Sequence, residues 1–168
     1  MTEAWTRTQA EQLYRRYAGL VRYRALRILG DEEDAREVTQ EAFARLLRHY
    51  RASDAEETPA ALLIRITTNL SLTLIRDRAA RRDKLRMRAG EKPGLGSGPL
   101  GQETIERADL VRSLLGRVPE DVQRMAVNYY IDGMTQQEIA TLHRISVPTV
   151  RKRLDRFVRR SRKALSRD

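Results

Sequence analysis

The sequence predicts an all-α protein of two small helical domains joined by a flexible linker, and three observations carry that prediction. Apolar residues recur at three- and four-residue offsets over long stretches, the pattern of helices with one buried side. Strand signals are scarce. One segment, "RAGEKPGLGSGPLGQE" at 88–103, gathers five of the nine glycines and two of the five prolines with few apolar residues to bury, which is the composition of a linker. It divides the 168 residues into pieces at 1–87 and 104–168, each long enough for a small core.

In the first piece, Leu13, Tyr17, Leu20, Leu26 and Leu29 repeat at helical spacing until Gly30, a natural helix stop. "DEEDAREVTQEAFARLLRHY" (31–50) then opens with Asp31 as an N-cap and has acids through its first turn, where the helix dipole favours them. Val38, Ala42, Phe43, Leu46 and Tyr50 form its expected buried stripe. Asp34, Glu37 and Glu41, with Gln40 beside them, form an expected acidic and polar ridge. On the residues alone this ridge is either a solvated face or a docking surface; with no histidine among them, these acids do not read as a metal site. After the polar stretch "RASDAEET" (51–58), a third helix is expected from Pro59 through "AALLIRITTNLSLTLI" into "RDRAARRDKLRMR", apolar at its start and basic at its end.

Composition narrows the function classes. Lys plus Arg number 33 against 23 Asp plus Glu, a net charge of +10. From Arg144 to Asp168 there are ten basic residues against two acidic ones, so these 25 residues hold eight of the ten net charges. A cationic block of that density repels itself and attracts a polyanion, and nucleic acid is the partner it fits first. A membrane surface would call for a bulkier apolar face than Phe157, Val158 and Leu165 supply. The absence of cysteine excludes disulfides, thiolate metal sites and cysteine nucleophiles. No phosphate-binding glycine loop and no nucleophile–base spacing is present, so neither an enzyme nor a cofactor is expected. The N-terminal stretch has no apolar segment of signal-peptide type, and Arg65 and Asn69 interrupt the most apolar run; a cytoplasmic protein without membrane insertion is expected.

The sharpest motif is "TQQEIATLHRISVPTVRKRL" (135–154). Thr135 followed three residues later by Glu138 is a capping box for a short helix. Ser146 caps a second helix that carries Pro148 in its first turn, where a missing N–H costs little. Ile139, Ala140, Ile145, Val150 and Leu154 are the expected inner faces. This is the spacing of a helix-turn-helix, whose second helix enters the major groove. Val147, Pro148, Thr149, Arg151 and Lys152 are the expected exposed early residues, with Arg156, Arg159 and Arg160 farther along for phosphates. Arg144 occupies the turn, where glycine is easiest, and is either a phosphate contact or a solvated turn residue.

Three stretches in order carry a resemblance. "LYRRYAGLVRYRALRILGDEEDAREVTQEAFARLLR" (13–48) and "LLIRITTNLSLTLIRDRAARR" (62–82) resemble the two halves of region 2 of the extracytoplasmic-function sigma factors. "LLGRVPEDVQRMAVNYYIDGMTQQEIATLHRISVPTVRKRLDRFVRRSRKAL" (114–165) resembles their region 4. The linker falls where this class joins its two domains. The sequence departs from the family pattern at Leu62, often tryptophan, at Thr73, often aspartate, and at His143, usually apolar; His143 is expected as a partly buried core residue.

The resemblance implies a transcription initiation factor with bacterial core RNA polymerase and promoter DNA as partners, and an anti-sigma factor is common in the family. Asp34, Glu37, Gln40 and Glu41 would dock on the polymerase. The loop from Arg51 to Thr58, with Arg65, Asn69, Arg76, Arg78 and Arg81, would hold the opened minus-10 strand. Arg144, Ser146, Val147, Pro148, Thr149, Arg151, Lys152 and Arg156 would face the minus-35 element. The alternatives are a helix-turn-helix regulator that does not engage polymerase and a degenerate sigma-like chain that mainly sequesters another factor.

Overall fold

The computed structural model describes residues 5–50, 58–90, 111–112 and 114–165. The loop expected at 51–58, except for Thr58, and most of the linker expected at 88–103 lie outside them. Among the described residues the regular elements are all helical. They are α1 (Arg7–Leu29), α2 (Glu32–His49), α3 (Pro59–Arg88), α4 (Glu120–Ala126), a π-helical turn (Val127–Ile131), α5 (Gln136–His143) and α6 (Val147–Leu165). Helical turns also occur at 111–112 and 114–115. Packing divides the chain at Ser71 and Leu72, inside α3, into units at 1–71 and 72–168.

In the first unit each helix starts and stops for a local reason. Thr6 and Gln9 form a reciprocal capping box at the start of α1, and Gly30 ends it in the left-handed conformation at φ 74°. The Asp31 carboxylate accepts from the Asp34 N–H at 2.9 Å to open α2. The Thr58 hydroxyl accepts from the Ala61 N–H at 3.2 Å at the start of α3. Val21, Ala42, Phe43, Leu46 and Leu63 form the buried core, with Leu13, Tyr17, Tyr50, Leu62 and Ile66 packed around it. Burial of each large side chain contributes about 1.5–3 kcal/mol. Leu62, where the family pattern often has tryptophan, thus serves this apolar cluster. Arg24 Nε donates to the Thr68 hydroxyl at 2.9 Å and fixes α1 against α3.

In the second unit Leu72, Ile75 and Ala79 continue a buried stripe along α3. Gly116 approaches this stripe so closely that a Cβ there would meet the Ala79 Cβ at 2.7 Å and the Ile75 carbonyl oxygen at 3.3 Å. A second core forms where α4, α5 and α6 meet. Met125, Ile139, Ala140, Val150 and Leu154 are buried together, and Met134, Ile145 and Val147 pack against them. The small Ala140 lets α5 and α6 approach closely, as helix-turn-helix packing requires.

Candidate nucleic-acid interface

The capping box at Thr135 forms as its spacing predicts: the Glu138 N–H donates to the Thr135 hydroxyl at 3.2 Å, and Glu138 accepts from the Thr135 N–H at 2.7 Å. That N–H bond, with a second bond from the Thr135 hydroxyl, holds the Glu138 carboxyl below its usual range. Arg144 adopts the left-handed conformation, φ 51° and ψ 45°, and its N–H closes α5 on the Ala140 and Thr141 carbonyls. It is the one non-glycine residue with positive φ among the described residues. Ser146 then opens α6, its hydroxyl accepting from the Thr149 N–H at 3.3 Å.

α6 is strongly two-sided. Val150, Leu154 and Phe157 are buried, while Pro148, Arg151, Lys152, Arg156, Arg159 and Arg160 are exposed. Those exposed positions follow helical spacing and make one outward cationic face. Two expectations need correction. Val147 is half-buried rather than exposed and, with Ile145, packs on the core of α4, α5 and α6, because the first turn of α6 helps to close that core. Thr149 is half-buried too, with its hydroxyl 2.8 Å from that of Ser146, so both hydroxyls serve the cap. Arg153 also turns inward, to Asp121 on α4.

On α2, Glu37 and Gln40 are exposed. Glu41 is half-buried and receives Arg45 at 2.7 Å and Arg48 at 3.4 Å. The hydrogen bond from Arg45 is the main reason its carboxyl sits below the usual range. Such exposed pairs contribute little, so a basic partner can replace them. Asp34 departs from the expected ridge, for the structure buries it at 7% exposure. The reason lies in spacing: Asp34 begins the stripe that continues four residues on through Val38, Ala42 and Leu46.

On α3, Arg65 is exposed and Asn69 is half-buried. At about 100° per residue, Arg65, Asn69 and Arg76 share one face of the helix within about 40°, while Arg78 and Arg81 fall on the other side. The five residues expected along this helix are thus divided between two faces. Arg76 donates to the Thr73 hydroxyl at 3.1 Å and lies 3.6 Å from the Glu120 carboxylate. Thr73, where the family pattern often has aspartate, therefore orients Arg76 through a neutral oxygen. No group of three or more His, Asp or Glu suited to a metal ion occurs among the described residues, and no helix there is long and apolar enough to cross a membrane.

Sequence reasoning missed the π-helical turn, which presents Tyr129 and Tyr130 at the rim, the latter ring 5.6 Å from that of Phe157. It also missed Asn128, buried at 4%, whose side-chain nitrogen lies 2.7 Å from Nε2 of His143. His143 is half-buried as expected. An asparagine inside an otherwise apolar helical stretch was the signal available for this pair.

The sequence matches the family described as Sigma-70 region 2 over residues 13–81 and that described as Sigma-70, region 4 over residues 108–165. It is similar to the ECF RNA polymerase sigma factor SigE of Mycolicibacterium smegmatis, 31% identical over 156 residues that cover 87% of this chain and 57% of the relative. The chain thus spans little more than half the length of the curated relative it matches. Two sigma-70 regions in family order, together spanning most of the chain, settle the membership: this chain belongs to the sigma-70 family.

Proposed function

We propose that this protein is an RNA polymerase sigma factor that binds bacterial core polymerase and directs transcription from promoters with minus-35 and minus-10 elements. The observation that carries this reading is α6, a capped helix seated on α5 whose outward face is basic from Arg151 to Arg160. In the proposed arrangement residues 104–168 read the minus-35 duplex, with Pro148, Arg151 and Lys152 toward base edges and Arg144, Arg156 and Arg159 toward phosphates. Residues 1–87 dock through Glu37, Gln40 and Glu41. Arg65, Asn69 and Arg76 hold the opened minus-10 strand, where an amide and guanidinium groups can hydrogen-bond unstacked bases and follow the backbone. Arg78 and Arg81, on the other face of α3, add cationic field toward the same strand's phosphates. An anti-sigma factor would inhibit by covering these faces.

Co-purification tests the reading. The protein mixed with bacterial core polymerase elutes with it on gel filtration, and a Glu37→Lys, Glu41→Lys variant elutes apart. Binding to duplex DNA with no association with polymerase would favour a plain helix-turn-helix regulator.

A further inference from the structure

Three groups meet at the turn between α5 and α6. His143 ends α5, Arg144 makes the left-handed turn, and Ser146 opens α6 two residues later. The only ring in this segment is that of His143, and it is anchored: Asn128 Nδ2 lies 2.7 Å from its Nε2. Asn128 is itself held. Its side chain is 4% exposed, and its carbonyl accepts from the Met134 N–H at 2.9 Å, so the π-helical turn is closed on both sides of it. With the amide donating, Nε2 is the acceptor and the ring's single proton sits on Nδ1.

We propose that Asn128 and His143 are positioning residues for the DNA-reading helix: their hydrogen bond fixes where α5 ends and so the angle at which α6 presents Arg151 and Lys152. This inference rests on the reading of α6 as the helix that faces the minus-35 element. Neither residue touches DNA. A helix hinged at one left-handed residue, Arg144, can tilt about that residue, and a tilt moves side chains at its exposed end relative to base edges while leaving its phosphate contacts largely in reach.

The surroundings select the neutral ring. Burial, first, and then Arg124 of α4 and Arg153 of α6 hold the imidazole below its ordinary range. Those two cations are themselves paired, Arg124 with Glu120 and Arg153 with Asp121 at 3.1 Å. Protonation at Nε2 sets a donor against the Asn128 donor and adds a positive charge within the field of the two arginines. Rotation of the amide would restore a hydrogen bond and leave the added charge. Discrimination between sequences is therefore expected to fall with pH below the neutral range.

The test uses the full chain assembled with bacterial core polymerase. A pool of duplexes randomised upstream of the start site is enriched for binding, and affinity is then compared for the enriched duplex and a scrambled one. Asn128→Ala is expected to lower the ratio of the two affinities about tenfold, the discrimination of roughly one base contact, with the salt slope unchanged. His143→Gln, whose amide oxygen accepts the same bond and does not titrate, is expected to keep the ratio and hold it flat between about pH 5 and 7. Asn128→Asp pairs with the imidazolium and is expected to keep discrimination at acid pH where the unmodified protein loses it. If Asn128→Ala does not fold, the pH profiles of the unmodified protein, His143→Gln and Asn128→Asp decide. Should every variant weaken enriched and scrambled duplexes alike at all pH values, the pair is structural only and the clamp is overturned. Should the unmodified holoenzyme enrich no upstream sequence, the reading of α6 fails and the clamp with it.

Discussion

Arg153 Nε lies 3.1 Å from the carboxylate of Asp121, so one cation of α6 holds that helix against α4. Its neighbours Arg151 and Lys152 are exposed, and the three adjacent basic residues therefore divide between two tasks. Arg153→Ala is expected to lower stability by under about 1 kcal/mol in thermal melts and to leave the salt dependence of DNA binding nearly unchanged. Arg159→Ala is expected to do the reverse, reducing the salt slope by about one with little change in melting. A slope that fell equally in both variants would show that Arg153 also faces phosphate.

The turn itself offers a second test. Arg144 holds φ at 51°, a conformation that costs a side chain about 1 kcal/mol or more and glycine little. Arg144→Gly is expected to keep or slightly raise the melting temperature while weakening DNA binding at low salt through the lost charge. Arg144→Val is expected to destabilise by more than about 1 kcal/mol, and an unperturbed melt for the valine variant would contradict the left-handed turn.

Caps and core give the third. Thr135→Ala removes the hydroxyl arm of the box, leaving only the bond from the backbone N–H of residue 135 to Glu138, and is expected to cost about 1 kcal/mol. Leu46→Ala, in the core of the first unit, empties a fully buried site and is expected to cost about 2–5 kcal/mol. Chemical denaturation of the full chain, with probes in each unit, separates the two effects. A Leu46→Ala chain as stable as its parent would contradict the packing of α1, α2 and the first turns of α3.

Stability should also depend on His143. Its folded pKa lies below the ordinary imidazole value of about 6.5. The unfolded chain then binds more protons as pH drops through that value. The contribution is complete above about pH 6.5 and is lost as pH falls toward the folded pKa. Urea denaturation at a series of pH values measures it, and His143→Gln is expected to remove that part of the slope.

Much of this was legible before any coordinates, and the reason differs from residue to residue. Gly30, Asp31, Thr135 and Ser146 act within three or four residues of themselves, so their turns and caps follow from local chemistry alone. The stripe of Ala42, Phe43 and Leu46 follows from helical period. Asp34 did not, because its charge read as solvent-facing although its spacing puts it on the stripe of Val38, Ala42 and Leu46. Val147 did not, because the first residue of a helix can turn toward either the core or the groove. Arg153 with Asp121 and Asn128 with His143 join residues fifteen or more positions apart. No local pattern reveals such pairs.

The acidic ridge supplies a further expectation. Glu37→Lys together with Glu41→Lys leaves the cores untouched, since Glu37 is exposed and Glu41 is half-buried against Arg45 and Arg48. The variant is expected to melt within about 1 kcal/mol of its parent and to lose at least about tenfold in affinity for core polymerase, through like-charge contact at the docking surface. Unchanged affinity would place the polymerase contact elsewhere on the chain.

The central claim is tested most directly by transcription in vitro, with purified bacterial core polymerase and the host's upstream sequences as templates. The account predicts transcripts that arise only when this protein is present, from start sites that share two spaced upstream motifs. It also predicts their loss in an Arg151→Ala, Lys152→Ala variant that still binds polymerase. Polymerase that initiates nowhere new in the presence of the folded protein would contradict the account.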